Sequence, residues 1–315
     1  MSMALDTAEA VAGVLDCWGE ADRSPRLVAA RENEVFAVCL ASGGRAALRL
    51  HRPGYRSAEA ISAEMALTSA LAADGFPCPA PIPTIDGAWT AHAPDGRLAS
   101  MVSWVEAEPL SAQGPTVDHM RHLGILIGRF HGLTDALAPD LQAMPGWTAE
   151  TLLGDAPLWG PFWENPTLTA EEAALLRQAR AAARAELAAM EAPDIGPIHG
   201  DLLPDNVLAD PARLWLIDFD DCGVGYRGYD LGTALVSYAE APDYPERAAA
   251  LLSGYASGRG QSAPGAAELG LFVLLRALAS CGWAVGRVAE DDPRRTAYAQ
   301  RAVRLAERWL SRRGA

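Results

Sequence analysis

IHGDLLPDNVLADPARLWLIDFD, residues 198–220, decides how the rest of the chain is read. In it the carboxylate of Asp201 follows a His-Gly pair. Asn206 comes five residues later, and Asp218 closes an apolar run twelve residues beyond that. Residues 197–199 and 207–208 read as short extended segments, 210–212 as a turn and 213–217 as a third strand. Asp201 and Asn206 therefore sit on a loop between strands, and Asp218 leaves the end of one.

These residue types in this order suit phosphoryl transfer. The attacking hydroxyl must be oriented and lose a proton, and the charge on the phosphates must be neutralised. Asp201 suits the first of these roles. Magnesium takes hard oxygen ligands and keeps several waters, so the Asn206 amide and the Asp218 carboxylate, together with substrate phosphates, make a site, with Asp220 as a further or outer contact. Taken singly, each of these residues is equally at home in a surface turn. The compound pattern H-x-D-x4-N followed by an apolar strand ending in D-F-D points to a kinase-like site.

The segments IHGDLLPDNVL and LIDFDDCGVGYRGYDLGTAL resemble the aminoglycoside phosphotransferase superfamily, which includes choline and homoserine kinases. The resemblance implies an α+β, protein-kinase-like fold of two lobes. Residues 1–105 would carry a five-stranded antiparallel sheet with one main helix, and residues 106–315 a mostly helical lobe. It further implies Asp201 as catalytic base, Asn206 and Asp218 as magnesium ligands, His199 as a brace in the catalytic loop, and Asp230 as a support bonded to that loop from beneath. ATP and magnesium are the cofactors it implies, and a small molecule the acceptor.

Composition narrows the classes. Of 315 residues half are apolar, enough for a substantial core, and five cysteines stand without metal or disulfide spacing, which suits a reducing cytoplasm. A net charge of −14 disfavours nonspecific nucleic-acid binding. The N-terminus reads as no secretory signal, and residues 269–288, interrupted by Arg276, read as a buried helix more than a membrane span. All 26 basic residues are arginine, so lysine Schiff-base chemistry and a Walker lysine are excluded.

Asp6 and Glu9 open a one-faced helix ended by Gly19. Strands follow over residues 27–30, 35–41 and 45–51, the last two joined by Ser42-Gly43-Gly44. Glu32-Asn33-Glu34-Val35 resembles the family turn that covers the ATP phosphates, which makes Asn33 a nucleotide contact. In the third strand Arg49 occupies the place where kinases put a phosphate-gripping lysine. On the helix of residues 57–74, Glu64 falls within the apolar stripe, and a carboxylate there needs a partner, for which Arg49 is the candidate. Arg for Lys leaves turnover open to question, because a planar guanidinium delivers its charge differently.

Residues 88–92 and 97–105 complete five strands. Ser103-Trp104-Val105 would then be the hinge, with the backbone of Ser103 and Val105 meeting adenine. A helix over residues 116–138 holds His131 as a packed core histidine, with His119 and His122 at the surface. Seven acids and Trp147, Trp159 and Trp163 lie between Arg129 and Arg177 with no lysine or arginine among them. They read either as a cage for a cationic amine or as a solvated acidic face with aromatics packed beneath. Further helices are expected over residues 169–190, 231–239, 245–257, 265–288 and 293–312, with Tyr226, Tyr229 and Trp283 as possible pocket walls.

The segments RPGYRS and LWGPFWENP resemble the homoserine-kinase and stress-response-kinase branch. The expected activity is ATP- and magnesium-dependent transfer of the γ-phosphate to a small-molecule hydroxyl: an amino alcohol, a homoserine-like or an aminoglycoside-like acceptor. The alternatives are a protein Ser/Thr kinase and a nucleotide-binding pseudokinase.

Overall fold

Along residues 45–50, Ala46, Leu48 and Leu50 are buried while Ala47 and Arg49 point the other way, the period-two signature of a strand with two differently used faces. In the computed structural model, which describes residues 7–19, 25–30, 33–41 and 43–313, that strand is the centre of a five-stranded sheet. Asp6, Glu32 and Ser42 lie outside the described residues. The chain forms two compact units, the first made of residues 1–108, 139–144 and 208–220 and the second of residues 109–138, 145–207 and 221–315.

In the first unit, α1 (Thr7–Leu15) and a 3-10 turn precede β1 (Arg26–Ala30), β2 (Glu34–Cys39) and β3 (Arg45–Leu50). Helix α2 (Ala58–Ala73) follows, then β4 (Thr90–His92) and β5 (Leu98–Ser103). The sheet order is β1-β2-β3-β5-β4, antiparallel at every pairing. Val11, Val14, Leu15 and Trp18 pack with Leu48, Leu50 and Met101, so α1 covers one face of the sheet. The proline-alternating segment runs beside β5, where the residues that are not proline supply the hydrogen bonds: Ile82 N–H to Met101 and Ser103 N–H to Ala80, each 2.8–2.9 Å. Ser57 caps α2 by accepting from Ala60 N–H.

The second unit carries most of the helices. After β6 (Glu108–Pro109) and α3 (Leu110–Gln113), α4 (Val117–Leu137) begins with a reciprocal capping box between Thr116 and His119, so His119 is a half-buried capping residue and not a plain surface one. Next come β7 (Gly146–Trp147), α5 (Ala149–Leu153), α6 (Ala170–Ala188) and β8 (Ile195–Ile198); β9 (Val207–Ala209) and β10 (Leu214–Leu216) follow on the stretch that from residue 208 belongs to the first unit, and β11 (Gly223–Tyr226) is again in the second. Helices α7 (Arg227–Val236), α8 (Tyr244–Arg259), α9 (Ala266–Arg287) and α10 (Pro293–Arg313) complete the chain.

Glycines set the spacing of α4 and α8. A Cβ on Gly124 would lie 2.1 Å from the Leu251 carbonyl oxygen, and one on Gly254 would lie 2.0 Å from that of Arg121. Gly128 and Gly258 repeat the arrangement one turn on, so the two backbones touch directly. Strand β11 pairs parallel with β7 and antiparallel with β8, which ties the start of the candidate catalytic loop to Trp147. Helix α9 is long and apolar enough to cross a membrane by composition, yet 78% of that window is buried within the protein.

The acids between Arg129 and Arg177 form no cage. Trp147, Trp159 and Trp163 are buried, Glu150 pairs with Arg184 at 2.7 Å, and Asp155 pairs with Arg180 at 2.6 Å. Asp135 pairs with Arg227 and Arg259. Arg180 also stacks 4.4 Å over Trp163. The packed reading is the better supported one: the tryptophans are buried, and three of the seven acids already have arginine partners on neighbouring helices.

Candidate active site

In the first unit three residues distant in sequence meet through one guanidinium. Arg49 on β3 donates from Nη1 to Glu64 Oε1 at 2.8 Å and from Nη2 to Asp218 Oδ1 at 3.0 Å. Glu64 is buried on α2, as its place in the apolar stripe requires, whereas the Asp218 side chain is 40% exposed. Burial pushes the Glu64 carboxyl up, Arg49 pulls it back and Asp218 adds to the rise. Burial alone would lower Arg49, but Glu64, Asp218 and Asp220 together raise it, so it stays charged. Behind it, His51 is held down at about 3 by burial and by the charge of Arg49, and it shares a 2.8 Å hydrogen bond with Ser100.

Asp218 has φ +68, a left-handed conformation that costs most residues energy and that Asp tolerates better. It turns the chain sharply after β10. Two residues later, Asp220 accepts from Asn33 Nδ2 at 3.2 Å, and its carbonyl accepts from Arg56 Nε at 2.9 Å. Asn33 Oδ1 in turn accepts from Arg52 N–H. Both ends of the Asn33 amide are thus engaged.

At the expected hinge, the N–H and hydroxyl of Ser103 are both bonded to Ala80. Trp104 N–H goes to Arg45. Val105, half-buried just beyond β5, is the residue of the three whose backbone has no partner among the described residues.

The second unit holds the residues of the candidate catalytic loop. Asp230 on α7 is fully buried and receives three donors: His199 N–H at 2.9 Å, Gly200 N–H at 2.9 Å and His131 Nε2 at 3.1 Å. Burial disfavours its charge, but those donors outweigh burial and keep its carboxyl below the ordinary value. His131 is driven down by burial and is neutral, with Nε2 donating to Asp230 and Nδ1 accepting from Tyr255 at 3.0 Å. Gly200 has φ +81, and a Cβ there would lie 2.5 Å from the Asp221 carbonyl oxygen, so only glycine fits.

Both oxygens of Asp201 are engaged. Oδ2 accepts from Asn206 Nδ2 at 2.8 Å, and Oδ1 accepts from Arg276 Nη2 at 2.6 Å. Asn206 Nδ2 also reaches the Asp201 carbonyl at 2.9 Å, which spends the amide nitrogen and leaves the amide oxygen as the group able to ligate a cation. His199 is fully buried, and its Nδ1 accepts from Asp201 N–H at 3.4 Å, which suits a brace and not a reactant. Among the described residues no three His, Cys, Asp or Glu side chains cluster at metal-binding spacing. An amide oxygen, one carboxylate and phosphate oxygens still make a set that fits magnesium.

From sequence alone Arg276 reads only as a break in an apolar run, so its place at the Asp201 carboxylate is missed. The signal is nevertheless there: a lone guanidinium in such a helix needs a buried anion.

A phosphotransferase enzyme family model matches residues 25–269. The homoserine kinase of Acidiphilium cryptum (strain JF-5) is 32% identical over 206 residues, 63% of this chain and 61% of that protein, so the matched stretch spans less than two thirds of that relative. The structure of a microcompartment-associated aminopropanol kinase is 30% identical, covers 96% of this chain and 97% of its own, and superposes with a TM-score of 0.83. Amicoumacin kinase in complex with AMP-PNP and Ca2+, 17% identical with a TM-score of 0.75, shares the fold. With its α+β architecture and the family match across most of its length, the chain belongs to the phosphotransferase enzyme family.

Proposed function

We propose that the protein transfers the γ-phosphate of ATP to a hydroxyl of a small amino alcohol or hydroxy amino acid. The observation that carries this reading is Asp201, a partly exposed carboxylate on a loop held by Asp230 and bonded through Asn206. In the proposed step the acceptor oxygen bonds to the γ-phosphorus, the bond to the β–γ bridging oxygen breaks, ADP departs and Asp201 takes the hydroxyl proton. Asn206 and Asp218, with Asp220 as a further contact, are the residues we assign to magnesium, which would supply charge neutralisation on the phosphates. Arg49, fixed by Glu64 and Asp218, suits the phosphate-gripping role, and Val105 suits a hinge contact to adenine. Asn33 supports the phosphate-covering turn through Asp220.

The named relatives act on homoserine and aminopropanol, which supports a small-molecule acceptor over a protein one. Intact ion pairing of Arg49 supports turnover over a silent nucleotide binder. Five free cysteines accord with a cytoplasmic setting. The test is ATP consumption with magnesium against homoserine, aminopropanol, choline, aminoglycosides and mixed protein. Acceptor-dependent turnover that vanishes in Asp201→Asn is expected; turnover with protein alone would overturn the acceptor class.

A further inference from the structure

Between Glu268 and Arg287 the one charged residue of helix α9 is Arg276, which enters the candidate catalytic loop. Its side chain is buried and donates twice: from Nη1 to the Gly200 carbonyl at 3.2 Å and from Nη2 to Asp201 Oδ1 at 2.6 Å. One rigid fork thus ties the Asp201 carboxylate to the main chain just before it. Asn206 holds the other carboxylate oxygen, so rotation of the Asp201 side chain is restrained from both ends.

The guanidinium is itself confined. Trp159 lies against its face with the ring centroid 4.7 Å away, and Trp147 meets Trp159 edge to face at 5.1 Å. Trp147 in turn stacks on Tyr229 at 5.2 Å and donates from Nε1 to the Asp221 carbonyl. Trp159 belongs to LWGPFWENP, and that segment is strapped across α9. Asn165 Nδ2 donates to the Cys281 carbonyl at 3.1 Å, and Cys281 Sγ donates to the Phe162 carbonyl at 3.4 Å. Gly282 approaches so closely that a Cβ would lie 2.4 Å from the Gly160 carbonyl oxygen. The strap fixes both the height of α9 and the ring that backs its arginine.

We infer that Arg276, clamped by Trp159 of the 158–166 strap, is the positioning residue that aims Asp201 at the acceptor hydroxyl. The inference rests on the kinase reading above and adds a residue outside the catalytic loop. It also explains what LWGPFWENP does, since Trp159 of the strap backs the arginine that holds the base.

The experiment compares wild type, Arg276→Ala, Arg276→Lys, Trp159→Leu and Asp201→Asn with one acceptor that wild type turns over, adds guanidinium chloride to Arg276→Ala, and includes a crystal structure of Arg276→Ala. Because a misplaced reacting group costs about 10²-fold, kcat should fall about 10²-fold in Arg276→Ala while KM for ATP and for acceptor each move less than about threefold. Arg276→Lys should recover part of that loss, and so should guanidinium at millimolar concentration. Trp159→Leu should fall between wild type and Arg276→Ala, and the crystal structure should show Asp201 in a new rotamer while Asp230 still holds His199 and Gly200.

Unchanged kcat with a raised acceptor KM would overturn the inference in favour of direct acceptor binding. A lowered melting temperature with unchanged kcat would overturn it in favour of packing alone. If Asp201→Asn keeps the wild-type rate, or wild type finds no acceptor, the kinase reading is what fails. The crystal structure then still decides the positioning claim, because an Asp201 rotamer that survives Arg276→Ala overturns it.

Discussion

At the scale of single residues, Arg49 shows how a guanidinium spreads its charge over separate nitrogens of one planar fork. Two of its nitrogens serve two carboxylates at once, whereas a lysine would offer a single point charge. Removing one member of a buried pair costs more than removing both, because the survivor keeps its desolvation penalty. Arg49→Met should therefore destabilise the fold by about 3 kcal/mol, with Arg49→Met/Glu64→Met losing much less, by urea denaturation. Equal losses in the two variants would mean that Glu64 had found water. His51 makes a second prediction. Its folded value of about 3 lies below the ordinary 6.5, so between those values the unfolded chain binds the extra proton. Stability is complete above about pH 6.5 and is lost as pH falls toward 3, and buried, neutral His131 acts in the same direction. His51→Gln should flatten the fall in Tm between about pH 6.5 and about pH 5; an unchanged slope would assign acid sensitivity elsewhere.

At the scale of elements, α4 carries its own control. Gly124→Ala would drive a methyl into the Leu251 carbonyl and should cost about 1–3 kcal/mol or more, since the obstacle is backbone. Gly132→Ala on the same helix meets nothing within 4 Å and should stabilise by up to about 1 kcal/mol. Thermal melts of the two variants should move in opposite directions, and a rise in both would mean that helix propensity outweighs contact. The same contrast explains which elements are legible in the sequence. Apolar periodicity and caps locate α2, α4, α6 and α10 to within a residue or two, because those signals lie within the element. Strand β11 is invisible there: Gly223 and Gly225 lower strand propensity, and what places them is the nearness of Pro145 and Trp147, a fact about neighbours remote in sequence. Glu64 is legible because a charge in an apolar stripe implies a partner. The same logic applies to Arg276, but its anion, Asp201, lies 75 positions earlier, on a loop whose own pattern says nothing of α9.

At the scale of the whole molecule, 40 acidic residues face 26 basic ones, and every basic residue is an arginine. Guanidinium groups hold their protons throughout the working pH range, so from acid to neutral pH the carboxylates and six histidines write the side-chain pH dependence of folding. The arginine-borne ion pairs within each unit, from Arg49 to Arg276, also share one chemical vulnerability. Reductive methylation with formaldehyde should leave Tm and circular dichroism unchanged, while the dicarbonyl phenylglyoxal should lower Tm progressively; loss of structure on methylation alone would contradict this. A consequence reaches the bench: amine-directed crosslinkers, fluorophores and resins will find no side chain to grip, so attachment through the carboxylates or cysteines is the practical route to a surface-bound or labelled form.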